Sequence, residues 1–285
     1  MNAEEVPVAF ECGGEALIGV AHVPAVPGRR GVVAIVAGGP QYRGGCCRQL
    51  VTMGRALAAR GIPVMRFDYR GLGDGSGDYR GFEHIGEDMA AAIDSFRRLV
   101  PAVEEIVLWG GCDAASAALI HGPGNPRVVG MVLGNPWVHS EQTEAQVLVR
   151  HYYWQRVREK AFWMKLLSLR LNPFAKLLSL LRALRQSRNR DGGQEAPAGD
   201  APFPQRMLAG LTRFRGRILL LMSGLSLVSK EFDQLVAGSP GWQRAMANLD
   251  VARVDFPEAD QAFSTIDARD KMIAAAGQWL AEWPL

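Results

Sequence analysis

The sequence predicts an α/β protein in which a mostly parallel sheet carries helices on both faces. Short apolar runs rich in β-branched residues alternate with segments of helical periodicity along most of the 285 residues. That alternation stops after Trp137 and resumes at Arg217, which leaves one long stretch without a strand pattern. We therefore expect an α/β core with one large insertion, since α/β folds of this length are often a single domain.

The predicted elements follow the alternation in chain order. Strands are expected at residues 6–11, 16–23, 32–37, 62–67, 105–109, 127–133, 217–222 and 251–256. Helices are expected at residues 47–60, 85–99, 112–120, 229–237 and 264–281. The first two strands are joined by "CGGE", which is typical of a hairpin. The expected sheet is therefore eight-stranded and mostly parallel.

The insertion is expected to be a helical cap over residues 140–205, between core parts at residues 1–139 and 206–285. It is rich in aromatic, leucine and arginine residues, and a flexible Gly/Pro-rich loop is expected near residues 188–202. Between residues 150 and 190, eleven Lys and Arg residues are accompanied by only one acidic residue. A basic amphipathic helix can bind a membrane surface or an acidic partner, whereas solvated arginines on a lid are the simpler interpretation.

Composition and charge exclude several classes of protein. The net charge of +3 is too small to indicate nucleic-acid binding. No run of about 18 apolar residues is present to predict a transmembrane segment. No export signal is visible, so a cytoplasmic location is expected, with the four cysteines reduced. Those cysteines lack the spacing of metal ligands, and no metal or cofactor is predicted.

The stretch "VLWGGCDAASAALI", residues 107–120, predicts a strand, a sharp turn and a helix, with Cys112 at the turn. α/β-Hydrolases expose their nucleophile on such a turn, normally as G-x-S-x-G. Here a cysteine replaces the serine, and Ala114 replaces the last glycine. A helix N-terminus lowers the pKa of a thiol, so Cys112 is a candidate nucleophile with a favoured thiolate. A free cysteine packed as a small apolar residue is the alternative.

The loop "AGGPQYRGG", residues 37–45, follows the third predicted strand. In the α/β-hydrolase fold this loop supplies one backbone N–H of the oxyanion hole, and the residue after the nucleophile supplies the other. Pro40 has no N–H, so Gln41 and Asp113 are the predicted donors. The alternative is a glycine turn that only connects a strand to a helix. Substrate-pocket positions are predicted around these groups, at Gly39, Tyr42, Arg43, Trp137 and His139.

Several strings resemble the exosortase A system-associated hydrolase 1 family, whose members are α/β-hydrolases with a cysteine nucleophile. They are "GGPQYRGGCCRQL", "PVMRFDYRGLGDGSGD", "LWGGCDAASAAL", "LGNPWVHSEQTEA", "RHYYWQRVREKAFWMKLL", "LLLMSGLSLVSKEF" and "ADQAFS". The resemblance implies acyl chemistry at Cys112. It also implies an aspartate where this chain has Ser226 and a histidine where it has Gln261. A further histidine of the family corresponds to Cys47 here.

The ordinary catalytic triad is therefore absent from this sequence. In α/β-hydrolases the triad runs nucleophile, acid, histidine along the chain. The five histidines of this chain all lie within the first 151 residues, at His22, His84, His121, His139 and His151. His139 and Asp260 are candidate substitutes for the missing base, although a hinge histidine and an ordinary loop carboxylate are the simpler interpretations. Asp68 and Asp74 are expected to be structural, through turn hydrogen bonds.

These residues predict an enzyme that acts on an acyl ester or thioester through Cys112, as a thioesterase, esterase or acyltransferase. Its predicted triad positions are Cys112, Ser226 and Gln261, and its acyl substrate is expected to arrive as a small molecule, on acyl-CoA or on an acyl-carrier protein. A thiolate is intrinsically nucleophilic, so cysteine depends less on histidine than serine does. Two alternatives remain open. One is a non-hydrolytic enzyme that reuses the oxyanion pocket for elimination or cyclisation, and the other is a pseudo-hydrolase that binds an acyl ligand or a partner.

Overall fold

The computed structural model describes residues 3–38, 41–138 and 201–283, which contain one eight-stranded sheet. The strands are β1 Ala3–Cys12, β2 Glu15–Pro24, β3 Arg30–Ala34, β4 Val64–Asp68, β5 Glu105–Gly111, β6 Val128–Gly134, β7 Arg217–Ser223 and β8 Asp250–Phe256. Their order across the sheet is β1-β2-β4-β3-β5-β6-β7-β8. All eight predicted strands are present, and the predicted α/β fold class is confirmed.

The sheet is antiparallel at one end and parallel elsewhere. β1 pairs antiparallel with β2, and β2 pairs antiparallel with β4, whereas the other neighbouring pairs are parallel. Parallel strands are covered by helices on both faces, which explains why their sequences are apolar on both sides. All residues of β4 are buried, as are residues 106–109 of β5. The carboxyl ends of the parallel strands meet at one edge, where their following loops converge.

The helices within the described ranges are α1 Gln49–Ala58, α2 Gly86–Leu99, α3 Asp113–His121, α4 Phe203–Arg213, α5 Leu227–Gly238, α6 Pro240–Ala247 and α7 Ile266–Ala281. Short 3-10 turns occupy Cys46–Arg48, Phe82–His84 and Gly122–Gly124. The sequence predicts neither α4 nor α6, because each begins at a proline-containing segment typical of a loop. In both helices the proline lies in the first turn, where its missing N–H has no intrahelical partner.

The described residues up to Val138 and from Phe203 onward form one compact unit. Within it, α3 packs against β5 and α4, so the helix that follows Cys112 is held between the sheet and a second helix. The predicted cap, residues 140–205, lies outside the described residues except for 201–205, where α4 begins. Among the described helices, none combines the length and apolar character needed to cross a membrane.

Candidate active site

Cys112 lies in a sharp turn between β5 and α3, with φ of 56° and ψ of −125°. This conformation is strained for a residue with a Cβ, and the surrounding hydrogen bonds hold it. The Cys112 N–H donates to the carbonyl of Gly134 at 2.8 Å, and its own carbonyl accepts from Ala115 N–H at 3.1 Å. A Cβ on Gly110 would lie 2.5 Å from the backbone of Ala114, so the turn requires glycine there. The geometry is that of a nucleophile elbow.

A cavity of about 300 Å³ opens beside the elbow. Its polar lining includes the predicted residues Gln41, Cys112, Asp113 and Gln261, and also Cys46. Its apolar lining is formed by Ile35, Leu50, Trp109, Leu221, Phe263 and Met272. A largely apolar cavity with a few convergent polar groups is the usual form of a small-molecule site, and this volume is at the small end of such sites.

Gln261 lies in the loop after β8, and its side chain contacts the elbow thiol. The Gln261 Nε2 donates to Cys112 Sγ at 3.4 Å. An amide N–H can stabilise a thiolate by donating a hydrogen bond, but it cannot take up a proton as a neutral imidazole does. The structure therefore brings Cys112 and Gln261, two of the three predicted triad positions, into contact. The position that a histidine base usually holds is occupied here by a hydrogen-bond donor.

Ser226, the third predicted triad position, lies at the start of α5 and not in the described cavity lining. It is the N-cap residue of α5 and is 2% exposed. Its Oγ accepts a hydrogen bond from Ser229 N–H at 3.3 Å. Serine is a favoured N-cap because this bond satisfies an otherwise unpaired N–H of the first helical turn. Ser226 is not among the described residues that line the cavity, so its hydroxyl serves the helix.

Asn135 connects the loops after β6, β7 and β8, and it is not among the site residues that the sequence predicts. It has φ of 45° and is 1% exposed. Its Nδ2 donates to Ser223 Oγ at 2.8 Å and to the Gln261 carbonyl at 2.9 Å. Its Oδ1 accepts from Ser223 N–H and from Ser229 Oγ, both at 2.8 Å. Asn135 therefore fixes the backbone of the residue that contacts the thiol. The available signal was "GNP" after a strand, since asparagine tolerates positive φ.

The predicted oxyanion donors Gln41 and Asp113 both line the cavity. The Gln41 N–H makes no hydrogen bond to another described residue. Asp113 is the first residue of α3, and its backbone N–H donates a hydrogen bond to the Cys112 thiol, which lowers the pKa of that thiol. The predicted pocket residues Gly39 and His139 lie outside the described residues.

Three predicted pocket residues, Tyr42, Arg43 and Trp137, are not part of the described cavity lining. The side chain of Tyr42 is exposed. Arg43 anchors its loop, because its N–H and Nη1 each donate to Asp68 at 2.5 Å and Nη1 also donates to Asp74 at 2.5 Å. Asp74 N–H donates to Asp68 at 3.1 Å, so both carboxylates have the expected structural role. Trp137 N–H donates to the carbonyl of the elbow cysteine at 3.2 Å.

Burial raises the pKa of the Cys112 thiol above its ordinary value, and the neighbouring Asp113 carboxylate raises it further. Hydrogen bonds from the Asp113 N–H and from the Gln261 amide lower the thiol pKa, but these effects are smaller. The expectation of a depressed thiol pKa is therefore wrong. Partial burial and the carboxylate of the first helical residue both disfavour the thiolate of Cys112, and together they outweigh the effect of the helix N-terminus.

None of the histidines in the described ranges lines the cavity. His22 accepts a hydrogen bond from Arg66 Nε at 3.0 Å, and burial, together with the charge of Arg66, lowers the pKa of His22 to about 4. His121 contacts a backbone carbonyl at 3.1 Å. The Asp260 carboxylate accepts from the N–H and hydroxyl of Ser264 and is likewise absent from the described lining. The described ranges also contain no cluster of three side chains suited to a metal ion.

Strand order, elbow and cavity together define an α/β-hydrolase. The chain belongs to the serine aminopeptidase, S33, family, whose sequence profile matches residues 28–191, more than half of the chain. It is therefore a hydrolase of the α/β-hydrolase superfamily. The resemblance to the exosortase A system-associated hydrolase 1 family is supported at the level of this superfamily only. No curated protein matches the sequence.

Several solved structures are similar to this chain along most of its length. An esterase from Pyrococcus furiosus has a TM-score of 0.64 and 15% identity, over 99% of this chain and 93% of the esterase. A dienelactone hydrolase from Anabaena variabilis has a TM-score of 0.61 and 13% identity, over 100% of both chains. An acylaminoacyl peptidase from Pyrococcus horikoshii has a TM-score of 0.63 and 15% identity, over 99% of this chain and 42% of the peptidase. At these identities the likeness shows the fold alone.

Proposed function

We propose that this hydrolase forms an acyl-enzyme on Cys112 from thioesters and activated esters. The observation that carries the proposal is the contact between Gln261 Nε2 and Cys112 Sγ, 3.4 Å, at an elbow that lines the cavity. The N–H groups of Asp113 and Gln41 are the donors that we assign to the oxyanion of the tetrahedral intermediate. The apolar remainder of the lining is suited to the acyl chain.

The absence of an imidazole restricts the substrates to those whose leaving group departs without being protonated. In a histidine-dependent site the imidazolium protonates the group that departs. A thiol, with a pKa of about 8.5, departs readily as the thiolate, whereas an alkyl alcohol requires a proton from a general acid. None of the described lining residues carries an imidazole. We therefore assign thioesters as better substrates than alkyl esters of the same acyl group.

The reaction has two halves. In the first, the Cys112 thiol releases its proton to solvent and the thiolate attacks the acyl carbon to form a C–S bond. The bond to the leaving sulfur then breaks, and the leaving group departs as a thiolate. In the second, water or another nucleophile takes the acyl group and the thiol is regenerated. Gln261 can hold the sulfur but cannot activate water, so hydrolysis is expected to be the slower half. Transfer to a second thiol, which ionises readily, is the faster outcome that we propose.

Acyl-CoA and acyl-carrier protein are the thioester donors whose negative charge complements the basic segment of residues 150–190. Both carry anionic groups, and residues 150–190 are strongly basic. Exposed charge pairs are screened over about 8–10 Å near physiological ionic strength, so binding of either donor should weaken as salt rises. Replacing Arg182, Arg185, Arg188 and Arg190 with glutamine should reproduce that loss without changing the alkylation of Cys112. Binding that is independent of salt would leave these arginines without a role in donor recognition.

The proposed reaction is tested by the release of thiol or alcohol from matched pairs of thioesters and oxyesters that share an acyl group. The wild-type protein should release thiol from the thioester at least about tenfold faster than alcohol from the alkyl ester. The alkyl ester needs a general acid, which contributes about 10²–10⁴-fold in rate and which the described lining lacks. The Cys112→Ala variant should be inactive, and Cys112→Ser nearly so, because serine needs a base.

Cys47→Ser is the matched control, since Cys47 is an exposed thiol outside the described cavity lining. Its activity should stay within about twofold of wild type. Full turnover by Cys112→Ala would contradict the proposal, and it would favour chemistry that uses the oxyanion donors without an acyl-enzyme.

A further inference from the structure

The chain that leaves β3 is attached to the nucleophile elbow through the side chain of Asp113. The Gly38 N–H donates a bifurcated hydrogen bond to Asp113 Oδ1 and Oδ2, at 2.9 Å each. Hydrogen bonds from a backbone N–H to a carboxylate are stronger than those between neutral groups. Asp113 is also the first residue of α3, directly after Cys112, and β3 is a neighbour of β5 in the sheet. One side chain of the elbow helix therefore holds a backbone segment that comes from the adjacent strand.

The contact between Gly38 and Asp113 leaves no room for a side chain at position 38. A Cβ on Gly38 would lie 2.4 Å from Asp113 Oδ2 and 2.8 Å from Tyr79 Oη, and both distances are shorter than ordinary van der Waals contact. Burial raises the pKa of the Asp113 carboxyl, and the hydrogen bond from Gly38 N–H opposes that shift by stabilising the charged form. The close approach of this backbone to the carboxylate therefore depends on glycine at position 38.

The two groups that we assign to the oxyanion hole lie on the two segments that this contact joins. The Asp113 N–H belongs to the elbow, and Gln41 follows Gly38 by three residues in the chain after β3. All three residues line the cavity. Within the described residues the Gln41 N–H has no hydrogen-bond partner that could fix it. Because a misplacement of about 1 Å can cost about 10²-fold in rate, the distance between the two segments has to be held by another contact.

We propose that Asp113 is the positioning residue of the oxyanion hole. Its backbone N–H is one donor, and its carboxylate holds Gly38 so that the Gln41 N–H reaches the same oxyanion. This inference rests on the proposed function. The carboxylate gains and loses no proton in this role, because it only fixes the distance between the two donors.

Two reactions of the Cys112 thiol respond differently to this role. Alkylation by iodoacetamide forms no oxyanion, so its rate reports only how available the thiolate is. Acylation by a thioester passes through a tetrahedral oxyanion and needs both donors. The Asp113 carboxylate disfavours the thiolate, so its removal should speed alkylation while it slows acylation. A carboxylate that only stabilised the first turn of α3 would change both rates in parallel.

Asp113→Ala removes the carboxylate and leaves the backbone N–H in place. In single-turnover experiments it should alkylate at least as fast as wild type and acylate at least about tenfold more slowly, because loss of one oxyanion donor costs about 10²–10³-fold. Asp113→Asn keeps an oxygen that accepts from Gly38 N–H, so it should acylate at least about threefold faster than Asp113→Ala. Asp94→Ala, at an exposed aspartate of α2, is the matched control and should alter neither rate.

Gly38→Ala tests the contact from its other side. The added Cβ should displace the carboxylate, so acylation should fall by at least about tenfold while alkylation does not fall. In the double variant Gly38→Ala and Asp113→Ala, the new methyl group no longer meets a carboxylate, and the exposed Tyr79 side chain has room to move away. The double variant should therefore acylate no more slowly than Asp113→Ala alone, because two changes at one contact are not additive.

Two results would overturn the positioning role of Asp113. One is an acylation rate that rises in parallel with alkylation in Asp113→Ala, and the other is a pair of losses that simply multiply in the double variant. Absence of any acyl adduct on the wild-type protein would instead contradict the proposed function, so the two failures are distinguishable.

Discussion

Removal of the Asn135 side chain is expected to destabilise the core and to release Gln261 from the thiol. In Asn135→Ala, Ser223 N–H and the Gln261 carbonyl lose their partners, whereas the Ser229 hydroxyl keeps a contact with the Ser223 carbonyl at 2.8 Å. The buried Ser223 N–H, left without a partner, costs about 1–3 kcal/mol, and the Gln261 carbonyl costs less because it belongs to an exposed residue that water can reach. A Cβ at positive φ adds about 1 kcal/mol when asparagine is replaced by alanine. The free energy of unfolding should therefore fall by about 4 kcal/mol.

The assay for Asn135 is urea unfolding followed by tryptophan fluorescence, with alkylation of Cys112 and thioester acylation measured under native conditions. Asn135→Gly is the matched control, because glycine removes the same hydrogen bonds but accepts φ of 45°. It should be about 1 kcal/mol more stable than Asn135→Ala. Both variants should acylate more slowly, since the loop that holds Gln261 is no longer fixed. A loss of under about 1 kcal/mol with unchanged acylation would refute this reasoning.

Three further predictions concern the triad, the histidine and the thiol. The double variant Ser226→Asp and Gln261→His should hydrolyse a simple activated ester at least about tenfold faster than wild type, with smaller gains in the single variants, because an oriented imidazole restores the base. Because the pKa of His22 falls from an ordinary 6.5 to about 4 on folding, stability should be complete above pH 6.5 and drop by about 3 kcal/mol as pH falls to 4. Urea unfolding at several pH values checks this, and the drop should be smaller in His22→Gln. Peptide-mapped alkylation should show Cys112 reacting more slowly than exposed Cys47 at neutral pH, with a rate still rising above pH 9; a faster Cys112 would contradict its raised pKa.

The strands and the elbow could be predicted because local sequence determines them. Buried parallel strands are continuous apolar runs, and the tight turn at Cys112 needs small residues such as Gly110. Helix α6 was missed because Pro240 and Gly241 are typical of loops, and only packing against the core decides in favour of a helix there.

The chemistry of the site was harder to predict, because it depends on partners far away in sequence. The role of Asn135 requires Ser223 and Gln261, which lie 88 and 126 residues further along the chain. Arg43 was assigned to the pocket, but Asp68, from the end of a neighbouring strand, holds it in the loop. The predicted direction of the Cys112 pKa shift is wrong, because the sequence around Cys112 predicts the helix that follows it but not the burial of its sulfur.

The most direct test of Cys112 as the nucleophile is intact-protein mass spectrometry after brief incubation with a short-chain acyl thioester, followed by peptide mapping. We predict that wild-type protein gains the mass of one acyl group and that the label maps to the peptide containing Cys112. Cys47→Ser should gain the same mass, and Cys112→Ala should gain none. A label that maps to Cys46 or Cys47, or that persists in Cys112→Ala, would contradict the assignment of Cys112.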